Sequence, residues 1–432
     1  MTIAWRKFWI IGLIALAGCS ASEPVEFTHD PRLSGEEFAE KPKARHAVES
    51  IVDEMFGESP ALLRVPRGSG LPEGGRYLAG LVQEGDDPED IRPVVYYPAG
   101  SDTPVPIAGG QALYHRHCLH CHGISGDGQG PTAAFLYPRP RDYRRGLFKF
   151  TSTDYGDKPS RDDLRRVLHH GIDGTSMPAF KAQMTDAEME QVIDYVLFLT
   201  YRGEVERMVL EEASFYEESD FEDEESLEFF REDVAEIAEF EIFARWTDAL
   251  EGLNLVEPIT PRVPPTQESI ERGRDLFLGV SRDVKLECAG CHGAQGTGDG
   301  PSWIDPETFN RYVFIENYDP TSKTTLETLQ QIADEQQRRW SDEWGDPLRP
   351  ADLNRGVYKG GRRPIDLYWR IATGITGTAM PGHVQALSDP DDLWNLVNFV
   401  LALPQQPDLL RPDQVQKLGA DTIPEAASTA AR

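Results

Sequence analysis

The sequence predicts an all-α chain of two related helical domains joined by an acidic, partly helical linker. Three observations carry this. The chain repeats itself: Arg139-Pro-Arg-Asp-Tyr-Arg-Arg-Gly-Leu-Phe-Lys149 matches Arg349-Pro-Ala-Asp-Leu-Asn-Arg-Gly-Val-Tyr-Lys359, and Gly174-Thr-Ser-Met-Pro178 matches Gly377-Thr-Ala-Met-Pro381 in the same order. Apolar residues in both copies return at helical period, as Met189, Val192, Ile193, Val196 and Leu197 in the first and Leu393, Leu396, Val397, Val400 and Leu401 in the second. Between the copies, residues 211–241 hold fifteen Asp or Glu against the single Arg231, yet Leu227, Phe230, Val234 and Ile237 keep helical spacing. A disordered linker has no need of such a stripe, so a helix with one solvated acidic face is expected.

Taken in order, residues 1–18 read as a signal peptide. Arg6 and Lys7 precede an apolar or glycine run over 8–17, about half the ~20 residues needed to span a bilayer. The run ends in Leu16-Ala17-Gly18-Cys19, which is similar to the lipobox of bacterial lipoproteins. That likeness implies a mature chain starting at a lipid-modified Cys19; the alternative is a plain secretory signal with an incidental cysteine. Residues 19–106, rich in Pro, Gly and acids with one amphipathic stretch at 46–56, read as an irregular tether on a domain surface. The first domain is expected over 107–204 with a closing helix at 185–201, and the linker over 205–264. The second domain follows over 265–406, with Ile270, Leu276 and Phe277 on its entering helix and a closing helix at 391–403. The first cysteine of each pair stands 21 residues before the Arg-Pro element in copy one and 61 in copy two, which places an insertion at about 302–347, with a helix near 326–339. Residues 407–432 read as a loose tail.

Composition narrows the class. In 432 residues, 43 basic side chains face 73 acidic ones for a net charge of −30, which repels phosphate backbones and excludes a nucleic-acid partner. Five cysteines are too few, and odd in number, for a disulfide-held scaffold. They divide as one plus two plus two: Cys19, then Cys118 with Cys121, then Cys288 with Cys291.

The two pairs lie in Cys118-Leu-His-Cys121-His122 and Cys288-Ala-Gly-Cys291-His292. Two thiols three positions apart on a helical turn can each bond one vinyl group of a haem, and the next histidine then faces the iron. Two covalently bound haem c groups, with His122 and His292 as axial ligands, are therefore expected. A zinc ribbon would bring its second pair ~15–20 residues away, and a thioredoxin-like site would need βαβ surroundings. Structural disulfides would leave both histidines without a purpose. For the opposite iron face, Met380 is the only methionine after Cys291. Copy one offers Met177, Met184 and Met189; Met189 belongs to a core stripe, and Met177 shares the Gly-Thr-x-Met-Pro context of Met380. Met177 and Met380 are the expected ligands, with His169, His170 or His383 as alternatives. Arg139, Arg141 and Arg349 carry the fork that pairs with haem propionates, solvation being the alternative for Arg141.

With these residues, each copy resembles a class I cytochrome c domain: helix, CxxCH, a Gly-Asp-Gly loop (Gly126-Asp-Gly-Gln-Gly-Pro131; Gly298-Asp-Gly-Pro301), a Met-Pro loop and a C-terminal helix. The resemblance spans about 107–202 and 265–404, and it implies a small all-α bundle around each haem. Residues 138–142 and 148–153 are similar to multihaem and respiratory-chain cytochromes of this class. The acidic helix and the insertion depart from the family pattern.

Iron with His and Met on its two faces favours outer-sphere electron transfer over catalysis. The expectation is a non-enzymatic dihaem carrier, lipid-anchored on the periplasmic side of a bacterial membrane, with the Ser20 context favouring the outer membrane. It would pass electrons between respiratory-chain or dehydrogenase partners that carry a basic docking patch. The rivals are a dihaem peroxidase or oxidase, which needs a displaceable ligand, and a fixed subunit of a larger respiratory complex.

Overall fold

The computed structural model describes residues 26–410 except 61, 72–77, 84–90, 94, 97–101, 107–108, 304–330, 332–333 and 336–338. The signal segment with Cys19, most of the copy-two insertion and its expected helix, and residues 411–432 lie outside the described residues.

Among the described residues the architecture is helical around two separate apolar cores. The only strands described are short antiparallel pairs, β1 (Leu81–Gln83) with β2 (Ile91–Pro93) and β3 (Val95–Tyr96) with β4 (Val105–Pro106). A short α1 (Glu36–Ala39) precedes α2 (Pro42–Phe56). The first cysteine pair sits on α3 (Gly110–His117) and α4 (Leu119–His122), followed by α5 (Arg161–His170) and α6 (Asp186–Ser214). Capping boxes start the last two: Ser160 with Asp163, and Thr185 with Glu188.

Helix α6 runs well past the expected end at 201, because Val205, Val209, Leu210 and Ala213 extend its buried face. The acidic segment supplies α7 (Glu224–Ile237), a π turn over Ala238–Phe243 and α8 (Ala244–Leu250). Of the expected stripe, Phe230 and Val234 are buried and Leu227 packs partly buried beside them. Ala238, Phe243 and Trp246 carry that face onward into the first core. The linker is thus a packed layer of the first domain, its carboxylates turned outward.

Residues 26–71 also differ from the expected surface tether. Phe27, Leu33 and Phe38, with Ala44, Ala47, Val48, Ile51, Val52 and Phe56 of α2, are buried in the same core. Two of the six buried positions of α2 are the weakly apolar Ala44 and Ala47, both at its start, so the sequence pattern shows only its 46–56 end. Polar contacts lock the segment down: Arg202, 2% exposed, lies over the Phe27 ring, and Glu206 meets His29 Nδ1 at 2.5 Å. Thr28 donates through its backbone N to Ser125 Oγ at 2.6 Å and through Oγ1 to Asp127 Oδ2 at 3.2 Å, on the Gly-Asp-Gly loop.

The second domain repeats the plan with α9 (Gln267–Phe277), α10 (Cys288–His292), α11 (Pro364–Thr373) and α12 (Asp392–Ala402). Its core holds Ile270, Leu276, Phe277, Leu393, Leu396, Val397, Phe399 and Val400, and Leu409 and Leu410 close it from what reads as tail. In both repeats the helix that leads into the CxxCH turn crosses the closing helix at a glycine. A Cβ at Gly110 would overlap the carbonyl oxygen of Gln191, and one at Gly273 that of Asn395.

Candidate functional site

Each CxxCH segment folds as one helical turn. In the first, the backbone N of Cys121 donates to Cys118 O at 3.1 Å and that of His122 to the same oxygen at 2.9 Å, so both thiols and the imidazole leave one turn. In the second, α10 carries Cys288, Cys291 and His292. None of the four sulfurs is in a disulfide. Burial pushes the Cys118 and Cys288 thiols up to about 12.

The histidines are oriented alike. His122 Nδ1 lies 3.2 Å from Arg141 O and His292 Nδ1 lies 3.1 Å from Ala351 O. A carbonyl only accepts, so Nδ1 carries the proton and Nε2 keeps its lone pair for a metal. Burial pushes His122 down to about 4 and lowers His292 in the same sense, holding both imidazoles neutral, the ligating form. Tyr143 stacks on His122 with centroids 4.6 Å apart. The matching residue in copy two is Leu353, and His292 is less buried than His122.

The methionine loops are built identically. Ile172 N donates to Met177 O and Ile375 N to Met380 O, each at 3.1 Å. Thr175 Oγ1 donates to Ile172 O at 2.8 Å and accepts from Met177 N at 3.1 Å; Thr378 makes the same pair of bonds at 2.8 and 3.2 Å. The threonine of Gly-Thr-x-Met-Pro therefore pins the methionine main chain in both copies. Met177 packs partly buried against the first core.

The alternative ligands are placed as follows. His169, at the end of α5, has Nε2 3.1 Å from Asp186 Oδ1. His383 lies beside the second site, where burial and then the nearby His292 hold its imidazole below the usual range. The arginines have protein partners: Arg139 Nε is 3.3 Å from Asp346 Oδ2, and Arg141 Nη1 donates to both carboxylate oxygens of Glu343 at 2.9 and 3.1 Å. Arg349 Nε donates to Gly298 O at 3.1 Å. Sequence reasoning missed Tyr143, Glu343 and Trp344. Only Tyr143 had a signal, its place in the repeated Arg-Pro element.

Two thiols on one turn beside a neutral imidazole with a free Nε2 are the donors that a covalently attached iron porphyrin takes, and each copy also holds the main chain of one methionine in a fixed loop. Among the described residues no three His, Cys, Asp or Glu side chains converge on a single ion. Residues 105–196 match the family model described as cytochrome c oxidase, cbb3-type, subunit III, and residues 270–404 match that of cytochrome c. A solved structure, the Kuenenia stuttgartiensis reducing HAO-like protein complex, is similar at 24% identity and a TM-score of 0.44, covering 68% of this chain and 94% of that one. No curated protein matches the chain.

Proposed function

The chain is a tandem c-type cytochrome with two cytochrome c domains, and on that premise we propose that it is a lipid-anchored periplasmic carrier whose two haems are each held by His and Met. The observation that carries this reading is the methionine loop, hydrogen-bonded in the same way in both copies. Bound haem supplies one reversible electron at each site. Cys118 with Cys121, and Cys288 with Cys291, fix it in place. With haem bound, His122 and Met177, like His292 and Met380, would hold the iron and leave no open position for substrate. Met177→Ala and Met380→Ala are each expected to remove half of the thioether-to-ferric-iron charge-transfer band and to lower one of two midpoint potentials. A band unchanged in either variant, or rapid peroxide turnover by the unaltered protein, would replace the carrier reading with a catalytic one.

Membrane attachment rests on the lipobox-like residues before Cys19. Phe27 is already part of the first core, so an anchor at Cys19 would allow that core to stand at most about 30 Å from it. Cys19→Ser should release the protein from membranes.

The exposed face of α7 and the π turn presents Glu225, Glu228, Glu232, Glu236 and Glu239 around the exposed rings of Phe229 and Phe240. This face suits a redox partner with a basic patch. Electron transfer to a basic soluble cytochrome c should slow by about tenfold or more between low and physiological salt. The combined Glu228→Gln, Glu232→Gln and Glu236→Gln variant should flatten that dependence; the same salt slope in variant and parent would move the docking site elsewhere.

A further inference from the structure

The end of the copy-two insertion reaches across to the first domain. Residues 341–347 form a tight turn closed by Asp342, whose Oδ1 accepts from the backbone N of Trp344 at 2.9 Å and of Asp346 at 3.0 Å. From this turn both carboxylate oxygens of Glu343 accept from Arg141 Nη1, with the two side chains largely buried at 11% and 18% exposure. Trp344 Nε1 donates to Pro140 O at 3.3 Å. Tyr137 Oη donates to Pro347 O at 2.9 Å, and Arg139 pairs with Asp346, so the contact runs along the whole 137–141 stretch.

That stretch is the one that orients His122. Arg141 O is the partner of its Nδ1, and Gly128 N donates to its backbone oxygen at 2.9 Å. The Trp344 ring abuts Gly128 so closely that a Cβ there would lie 2.8 Å from Cζ2. Trp344 is thus wedged between both segments that hold His122, while Glu343 fixes Arg141 from outside. Copy two has no counterpart: the residue equivalent to Arg141 is Ala351, which has no side chain for such a hold.

We propose that the 341–347 turn of the second domain is a positioning element for the first haem site, in which Glu343 and Trp344 set the hydrogen bond between Arg141 O and His122 Nδ1. This rests on the reading of both sites as haem sites. A firm carbonyl partner makes the imidazole a more basic ligand and favours ferric iron, and the Glu343 carboxylate adds negative charge nearby. The first site is therefore poised lower than its own domain alone would set it.

The test is a redox titration of the full-length holoprotein with Glu343→Gln and, separately, Trp344→Phe, which keeps an aromatic ring but removes the indole donor and the edge that abuts Gly128. One midpoint potential should rise in each variant and the other should stay. The hyperfine-shifted proton resonances of one axial histidine should move with it. A Met177→His background, which lowers the first site's potential, identifies the step: the one that responds to Glu343→Gln must be the displaced one. Potentials unmoved in both variants, both potentials moving together, or a response confined to the undisplaced step would each overturn the proposal. Failure of the haem reading would show separately, as absence of covalent haem in the unmutated protein.

Discussion

Cys118→Ser combined with Cys121→Ser is expected to halve the haem that stays with the chain after denaturation, Cys288→Ser with Cys291→Ser to halve it likewise, and all four together to abolish it. The two thiols of each pair leave one helical turn beside a neutral imidazole whose Nε2 has no competing role. Haem staining of denatured protein, or intact mass, reads the result directly. The consequence for folding should be unequal. The first core draws on residues from 27 to 71 and on the α7–α8 layer in addition to the helices of the repeat, whereas among the described residues the second is made of its own repeat and a few flanking residues. Loss of the second haem should therefore lower the second domain's melting temperature more than loss of the first haem lowers that of the first. Equal haem content in parent and variants would exclude thioether attachment at these cysteines.

The second large effect is expected at the helix crossings. Gly273→Ala places a methyl group on the carbonyl oxygen of Asn395, and the backbone there belongs to α12 and cannot move without opening the core. Overpacking of this kind costs about 1–3 kcal/mol, which is several degrees in the melting temperature of a domain this size. Gly110→Ala against Gln191 should do the same to the first domain. Melting followed at haem absorbance and by near-ultraviolet circular dichroism separates the two transitions. A second domain that melts unchanged with Ala at 273 would mean that α9 and α12 do not cross at this residue.

The contrast between α7 and α2 shows what a sequence pattern can carry. Phe230 and Val234 stand out from a run of carboxylates, so the buried face of α7 is legible despite the charge. In α2 the buried face is made partly of Ala44 and Ala47, residues common on any helix, and the flanking Pro, Gly and acids suggest a surface strand of chain. The extension of α6 to Ser214 was hidden for a related reason: its continued stripe passes through Arg202, Glu204 and Glu206. Two of these, Arg202 and Glu206, are buried because His29 and Asp53 meet them from more than 140 residues away.

The geometry of each CxxCH turn and each methionine loop was readable from the residues because its parts are local. In CxxCH and Gly-Thr-x-Met-Pro, neighbours in the chain are neighbours on one turn or in one tight loop, and the donor atoms follow from residue type and spacing. The repeat then doubled every observation. The asymmetry between the two sites was not readable. Arg141 and Glu343 are 202 positions apart, and no period or motif links an arginine in one repeat to a carboxylate in the other's insertion. Burial and hydrogen-bond geometry across that distance depend on how the two domains pack, so the difference between the His122 and His292 environments exists only in the folded chain.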